Sequence, residues 1–109
     1  MRSKTELIIA EMLEKKSIPF HYEKPLFLKG QGTIHPDFTV LNVAQRKSLF
    51  WEHMGMMDDD LYRDYALERI NQYILAGYFP GRDLILTHET SSRPIRTAIL
   101  ERVIDEYLT

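Results

Sequence analysis

His35-Pro36-Asp37-Phe38-Thr39-Val40 and Leu49-Phe50-Trp51-Glu52-His53-Met54-Gly55-Met56 are the two stretches on which the fold turns. Both are rich in aromatic and β-branched residues, and each sets a carboxylate among bulky apolar neighbours, where a strand normally excludes charge. His35 to Asn42 reads as one strand, Val43 to Lys47 as a connection, and Ser48 to His53 as the next strand, ending at Gly55. So short a connection favours an antiparallel hairpin. Pairing Asp37 with Glu52 centres the turn between Ala44 and Gln45, inside that connection, so the two carboxylates are expected to face each other. Carboxylates at the ~5 Å spacing of cross-strand side chains repel, and partial burial raises the cost unless one is protonated or a cation lies between them. A divalent metal would relieve the strain, and hard oxygen ligands select Mg²⁺ or Mn²⁺ rather than zinc. The alternative is that one carboxylate caps a turn and the other pairs with a surface arginine.

Working outward, Ser3-Lys4-Thr5-Glu6 is a capping-box pattern that opens a helix from about Lys4 to Lys16, with Lys15 and Lys16 suited to its carboxyl end and Pro19 blocking continuation. Phe20 to Leu28 is too short for a good helix and reads as an edge strand, or one broken at Pro25, closed by a Gly30-Gln31-Gly32 loop. Asp58, Asp59 and Asp60 mark the start of a second helix that runs to about Ala76 and stops at Gly77. Its apolar row is Leu61, Tyr62, Tyr65, Ala66, Ile70, Tyr73 and Ile74. Asp83 to Thr87 is a buried strand, and Pro94 suits the first turn of a last helix burying Ile95, Ala98, Ile99, Val103 and Tyr107. The expected order is α-β-β-β-α-β-α: an α/β domain whose strand, helix, strand succession implies a right-handed crossover and a mixed sheet flanked by helices.

The bulk properties bound the class. A chain of 109 residues, 44% hydrophobic with five Phe, six Tyr and one Trp, supports one core, so 1–109 is read as a single domain. With no cysteine, a disulfide framework and a thiolate metal site are both excluded, and a soluble cytoplasmic protein is the simplest expectation. No long apolar run follows the charged residues near position 6, so neither a signal peptide nor a membrane span is expected. Fourteen basic against sixteen acidic residues give a net charge of −2, so contact with DNA has to come from a local patch or a larger assembly.

The Pro36-Asp37-Phe38 to Trp51-Glu52-His53-Met54-Gly55 run, preceded by Arg2-Ser3-Lys4-Thr5-Glu6 and by His21-Tyr22-Glu23-Lys24-Pro25-Leu26, resembles small bacterial domains of the PD-(D/E)XK, restriction-endonuclease-like superfamily over nearly the whole chain. The resemblance implies a Mg²⁺- or Mn²⁺-dependent nuclease acting on DNA. Asp37 and Glu52 would hold the metal, Glu6 would orient or assist it, and water would attack a phosphodiester. The superfamily's lysine, two residues beyond the acidic one, is absent: position 54 is methionine. In relatives of this subgroup the lysine has moved to the following helix, where this chain has Arg69, an inward position in the row of Tyr62, Tyr65, Ala66 and Tyr73. A guanidinium steadies phosphate charge but does not deprotonate water as a lysine can. The alternative for Arg69 is a structural ion pair to Asp37 or Glu52, in a degenerate module that binds nucleic acid or a protein partner. Such domains also occur fused in helicase-like or mobile-element proteins, and a homodimer would let so small a nuclease cut both strands.

Other candidates carry weaker signals. His53 should point to the sheet face opposite Glu52 and pack there. Glu6 has a second reading as the capping-box partner of Ser3. Glu23 beside Lys24 reads as solvated, His88 and Glu89 as a surface pair at the end of a strand, and Met54, Met56 and Met57 as core filling or an interface.

Overall fold

In the computed structural model, which describes residues 3–109, helix α1 (Lys4–Lys15) begins with the expected capping box. Ser3 Oγ accepts from the Glu6 backbone N–H at 3.2 Å, and the Glu6 carboxylate accepts from the Ser3 N–H at 3.3 Å. Arg2, part of the opening motif, lies outside the described residues.

The single strand expected over Phe20 to Leu28 is two. β1 (Phe20–Tyr22) joins the main sheet, whereas β2 (Leu26–Leu28) leaves it and pairs antiparallel with β3 (Gly32–Ile34) as a separate hairpin. The break has local causes: Glu23 takes a left-handed φ of 54°, and Pro25 has no N–H to give a ladder. Gly30-Gln31-Gly32, expected as a loop, is the hairpin's turn and supplies the first residue of β3; φ values of 80° and 93° at Gly30 and Gly32 require glycine.

β4 (Phe38–Asn42) starts three residues later than the sequence suggested, because Pro36 interrupts the ladder, and pairs antiparallel with β5 (Lys47–Met54). The partners Phe38↔Trp51, Thr39↔Phe50 and Val40↔Leu49 give the expected register, which continued by one residue sets Asp37 opposite Glu52. Helix α2 (Asp60–Leu75) is capped by Asp59, which accepts from the Tyr62 N–H at 2.8 Å. β6 (Leu84–His88) then runs parallel to β5, completing a mixed sheet in the order β1-β4-β5-β6. Helix α3 (Thr97–Leu108) begins at Thr97 rather than around Pro94. Element order is therefore α-β-β-β-β-β-α-β-α; the class is mixed α/β, with two more strands than the seven-element expectation.

Strand alternation divides the side chains between two faces. Phe38, Val40, Leu49, Trp51 and Ile85 form the main core with α1 (Ile9, Leu13) and α3 (Leu100, Ile104, Leu108). The opposite face packs Leu84 against Tyr73 of α2 and against Leu28 and Ile34 of the hairpin. Two helical stripes differ from expectation. In α3 the buried row is Leu100, Ile104 and Leu108 with Val103 and Tyr107 at its flank, while Ala98 and Ile99 are exposed, because they belong to the first turn, ahead of the row that meets the core. In α2 only Ala66 and Tyr73 are fully buried; Leu61, Tyr65 and Ile74 are exposed, because a single strip of this surface helix meets the sheet. No helix among the described residues is long and apolar enough to cross a membrane.

Candidate functional site: a carboxylate pair at the sheet edge

Where β1 and β5 end and β4 begins, the hairpin on one side and α2 on the other enclose an open cleft of about 620 Å³. Its floor is Asp37 and Glu52, brought together by the β4–β5 register. The Asp37 backbone N–H donates to Glu52 Oε1 at 3.4 Å, and the His53 backbone N–H donates to Asp37 Oδ2 at 2.8 Å. Glu52 Oε2 accepts from Tyr73 Oη at 2.7 Å and from Arg69 Nη1 at 2.9 Å, in an ion pair that is largely buried. Arg69 thus points inward, as its place in the α2 row requires, and its other end donates to Tyr65 Oη at 2.6 Å.

The electrostatics of the pair are unbalanced. Burial, and then the adjacent Glu52 carboxylate, push the Asp37 carboxyl up to about 8, against the pull of the His53 N–H. Burial raises Glu52 as well; Tyr73 and Arg69 oppose the shift without reversing it. Asp37 accepts one hydrogen bond among the described residues, whereas Glu52 accepts three, so the proton the pair retains sits on Asp37. Burial alone would lower Arg69; the Glu52 carboxylate reverses the sign and keeps it firmly charged.

Glu6 lines the same cleft, and its Oε2 closes the capping box expected of it while Oε1 accepts from Tyr22 Oη at 3.0 Å. Burial, and then the hydrogen bond to Glu6, raise the Tyr22 hydroxyl, so it stays a donor. Glu23 also lines the cleft and is exposed, as expected. Among the methionines, Met54 is buried and Met56 half-exposed at 52%.

No protein-family model and no curated protein matches this chain. What the cleft can do must therefore follow from its own groups. Among the described residues no set of three or more histidine, aspartate or glutamate side chains is gathered as a metal cage. Asp37, which has no ion-pair partner among the described residues, and the adjacent Glu52, paired with Arg69, are nevertheless a pair that suits Mg²⁺, which is commonly held by one or two carboxylates, with water and substrate oxygens completing its shell.

On the other face of β5, His53 is buried as expected, but its partner Glu89 is no surface residue. Trp51 Nε1–H only donates, and it meets Thr87 Oγ1 at 2.9 Å; the Thr87 hydroxyl hydrogen is left for His53 Nδ1 at 2.8 Å, and the imidazole Nε2–H is aimed at Glu89 Oε2 at 2.7 Å. Glu89 also accepts from Thr5 Oγ1 at 2.6 Å and from the Ile95 N–H at 2.8 Å. Burial opposes ionisation of Glu89, but the Thr5, Ile95 and His53 donors outweigh it and hold its carboxyl below the usual range. The Ile95 N–H from which Glu89 accepts lies just ahead of the Arg96 N-cap of α3. Sequence reading named Glu89 only as a surface residue and Tyr73 only as part of an apolar row, and it missed Thr5 and Thr87, because no local spacing connects these residues to their partners on β5.

Proposed function

We propose that this chain is a restriction-endonuclease-like, metal-dependent nuclease domain that hydrolyses DNA phosphodiesters. The observation that carries the proposal is the juxtaposition of Asp37 and Glu52 at the floor of an open cleft, with Asp37 raised to about 8 by burial and by the facing Glu52 carboxylate. Asp37 and Glu52 would hold Mg²⁺ or Mn²⁺. When bound, such an ion polarises the phosphoryl oxygen and lowers the pKa of attacking water. Tyr73 and the Asp37 N–H fix the Glu52 carboxylate, and the His53 N–H fixes that of Asp37, so both ligands are oriented before substrate arrives. Arg69 holds Glu52 with one nitrogen and retains further N–H groups for a phosphate oxygen. Glu6, tethered by Ser3 and Tyr22, stands at the cleft wall to orient water.

A second reading has its own support. Glu52 is already satisfied by Arg69 and Tyr73, and Met54 stands where the superfamily has its lysine, which suits a module that keeps the fold and binds nucleic acid or a protein without cutting. Cleavage assays with Mn²⁺ on single-stranded, duplex and branched DNA separate the two. The nuclease reading predicts cleavage that drops by roughly 100-fold or more in Asp37→Asn and Glu52→Gln. No cleavage of any substrate leaves the binding module. A homodimer or a larger multidomain setting is the arrangement in which either reading would act on both strands.

A further inference from the structure

We propose that the cleft takes an unpaired nucleic-acid strand, whose bases stack on Phe27 of the β2–β3 hairpin and Tyr65 of α2; the inference rests on the nuclease reading of the Asp37–Glu52 pair. Charge argues first against a duplex. The cleft walls bring together the carboxylates of Glu6, Glu23, Asp37 and Glu52 with, among the described residues, one cation, Arg69, already committed to Glu52 and Tyr65. Duplex DNA is held chiefly by many Lys and Arg contacts to phosphate, and neither this cleft nor a chain of net charge −2 supplies such a surface. A single strand has a different handle, because every exposed base carries an apolar face that an aromatic ring can meet.

The aromatic rings are where such a strand needs them. Phe27 is directly opposite Thr33 in the hairpin ladder, so the two side chains share one face, and Thr33 lines the cleft. Phe27, 68% exposed, therefore continues the cleft wall outward. Lys24 and Lys29, both exposed, flank it in sequence and offer charge to a passing backbone. On the facing wall Tyr65 is 61% exposed, yet its ring is pinned: Arg69 donates to its hydroxyl at 2.6 Å and lies 5.4 Å from the ring centroid. A ring fixed in advance loses little freedom on stacking. The volume of about 620 Å³ is that of a small-ligand site.

The test is fluorescence anisotropy on the full chain with Ca²⁺ present, using a labelled oligo-dT strand and a labelled blunt duplex. The strand should bind at least about 10-fold tighter than the duplex. Phe27→Ala and Tyr65→Leu should each weaken strand binding by about 5- to 100-fold, while Leu75→Ala, an exposed α2 position outside the cleft, leaves it unchanged. Duplex binding as tight as the strand's, absence of strand binding, or strand binding unmoved by both aromatic substitutions overturns the inference. Mn²⁺-dependent cleavage of the same DNAs keeps the two claims apart. Duplex cutting indifferent to Phe27 and Tyr65 removes the strand inference and retains the nuclease. Stacking-dependent strand binding without cutting does the reverse.

Discussion

Glu52 and His53 are consecutive on one strand, yet they open onto opposite faces and into opposite kinds of chemistry. Behind the strand, Glu89 receives hydrogen bonds from Thr5, His53 and Ile95, and its carboxyl is held below the ordinary range. In front, Asp37 receives one, faces Glu52, and is raised to about 8. Asp37 is the more deeply buried and faces a second carboxylate, whereas at Glu89 three donors outweigh burial. The supply of donors sharpens the difference. A buried charge whose donors are complete ties elements together, here α1, β5 and the segment before α3. One whose donors are incomplete is held ready for something not supplied by the fold.

This contrast is breakable, and most severely at Glu89. Glu89→Ala leaves the Thr5 hydroxyl, the His53 Nε2–H and the Ile95 N–H without their acceptor, so stability should fall by roughly 3 kcal/mol, about 12 °C or more in melting temperature for a domain of this size. Urea or thermal unfolding checks it, and a loss under about 1 kcal/mol would show that the network holds little together.

Asp37→Asn should act in the opposite direction. Between about pH 4 and pH 8 the folded protein keeps a proton on Asp37 that the unfolded chain has released, so metal-free stability should be full at low pH and decline as pH rises through about 8. Asparagine can still accept from the His53 N–H and carries no charge, so the variant should flatten that decline and melt about 5 °C or more above wild type at pH 8 in EDTA. Parallel pH profiles of the two proteins would contradict the assignment of the proton to Asp37.

Arg69 sharpens the comparison at intermediate scale. Arg69→Ala leaves Glu52 with its Tyr73 and Asp37 donors but no cation, and should cost roughly 1–2 kcal/mol of stability and most of any cleavage. Arg69→Lys keeps the charge and should retain much of both. Loss of stability in Arg69→Ala with no cleavage by any of the three proteins would favour the degenerate module.

How much of this was legible in the sequence follows from how far each interaction reaches along the chain. The facing of Asp37 and Glu52 was readable, because a short connection fixes register and strand alternation fixes the face. The inward turn of Arg69 was readable from helical spacing. Pro25 signalled a break, but not that Leu26–Leu28 would leave the sheet, since β3 is three residues long and carries little pattern of its own. Glu89 looked like a surface residue because its partners lie 84, 36 and 6 positions away, where no periodicity operates. The α3 stripe is only partly legible: Val103 and Tyr107 do pack at the core's flank, but the spacing does not show that the first turn, with Ala98 and Ile99, lies clear of it.

The smallest of the site effects belongs to Glu6. Glu6→Gln can still accept from the Ser3 N–H through its amide oxygen and donate its NH2 to Tyr22 Oη in place of accepting from it, and it removes one negative charge from the wall, so it should change melting temperature by less than about 3 °C while weakening Mn²⁺ binding only a few-fold. A collapse of stability would mean that its capping role dominates.

The central claim, that Asp37 beside Glu52 is an under-satisfied carboxylate awaiting a cation, is tested most directly by thermal unfolding at pH 8 across a Mn²⁺ titration. An ion bound only to the folded state raises the melting point in proportion to the logarithm of its excess over the dissociation constant. Wild type should therefore rise by several degrees and Asp37→Asn should not respond. Equal shifts in the two proteins, or none in either, would contradict the account.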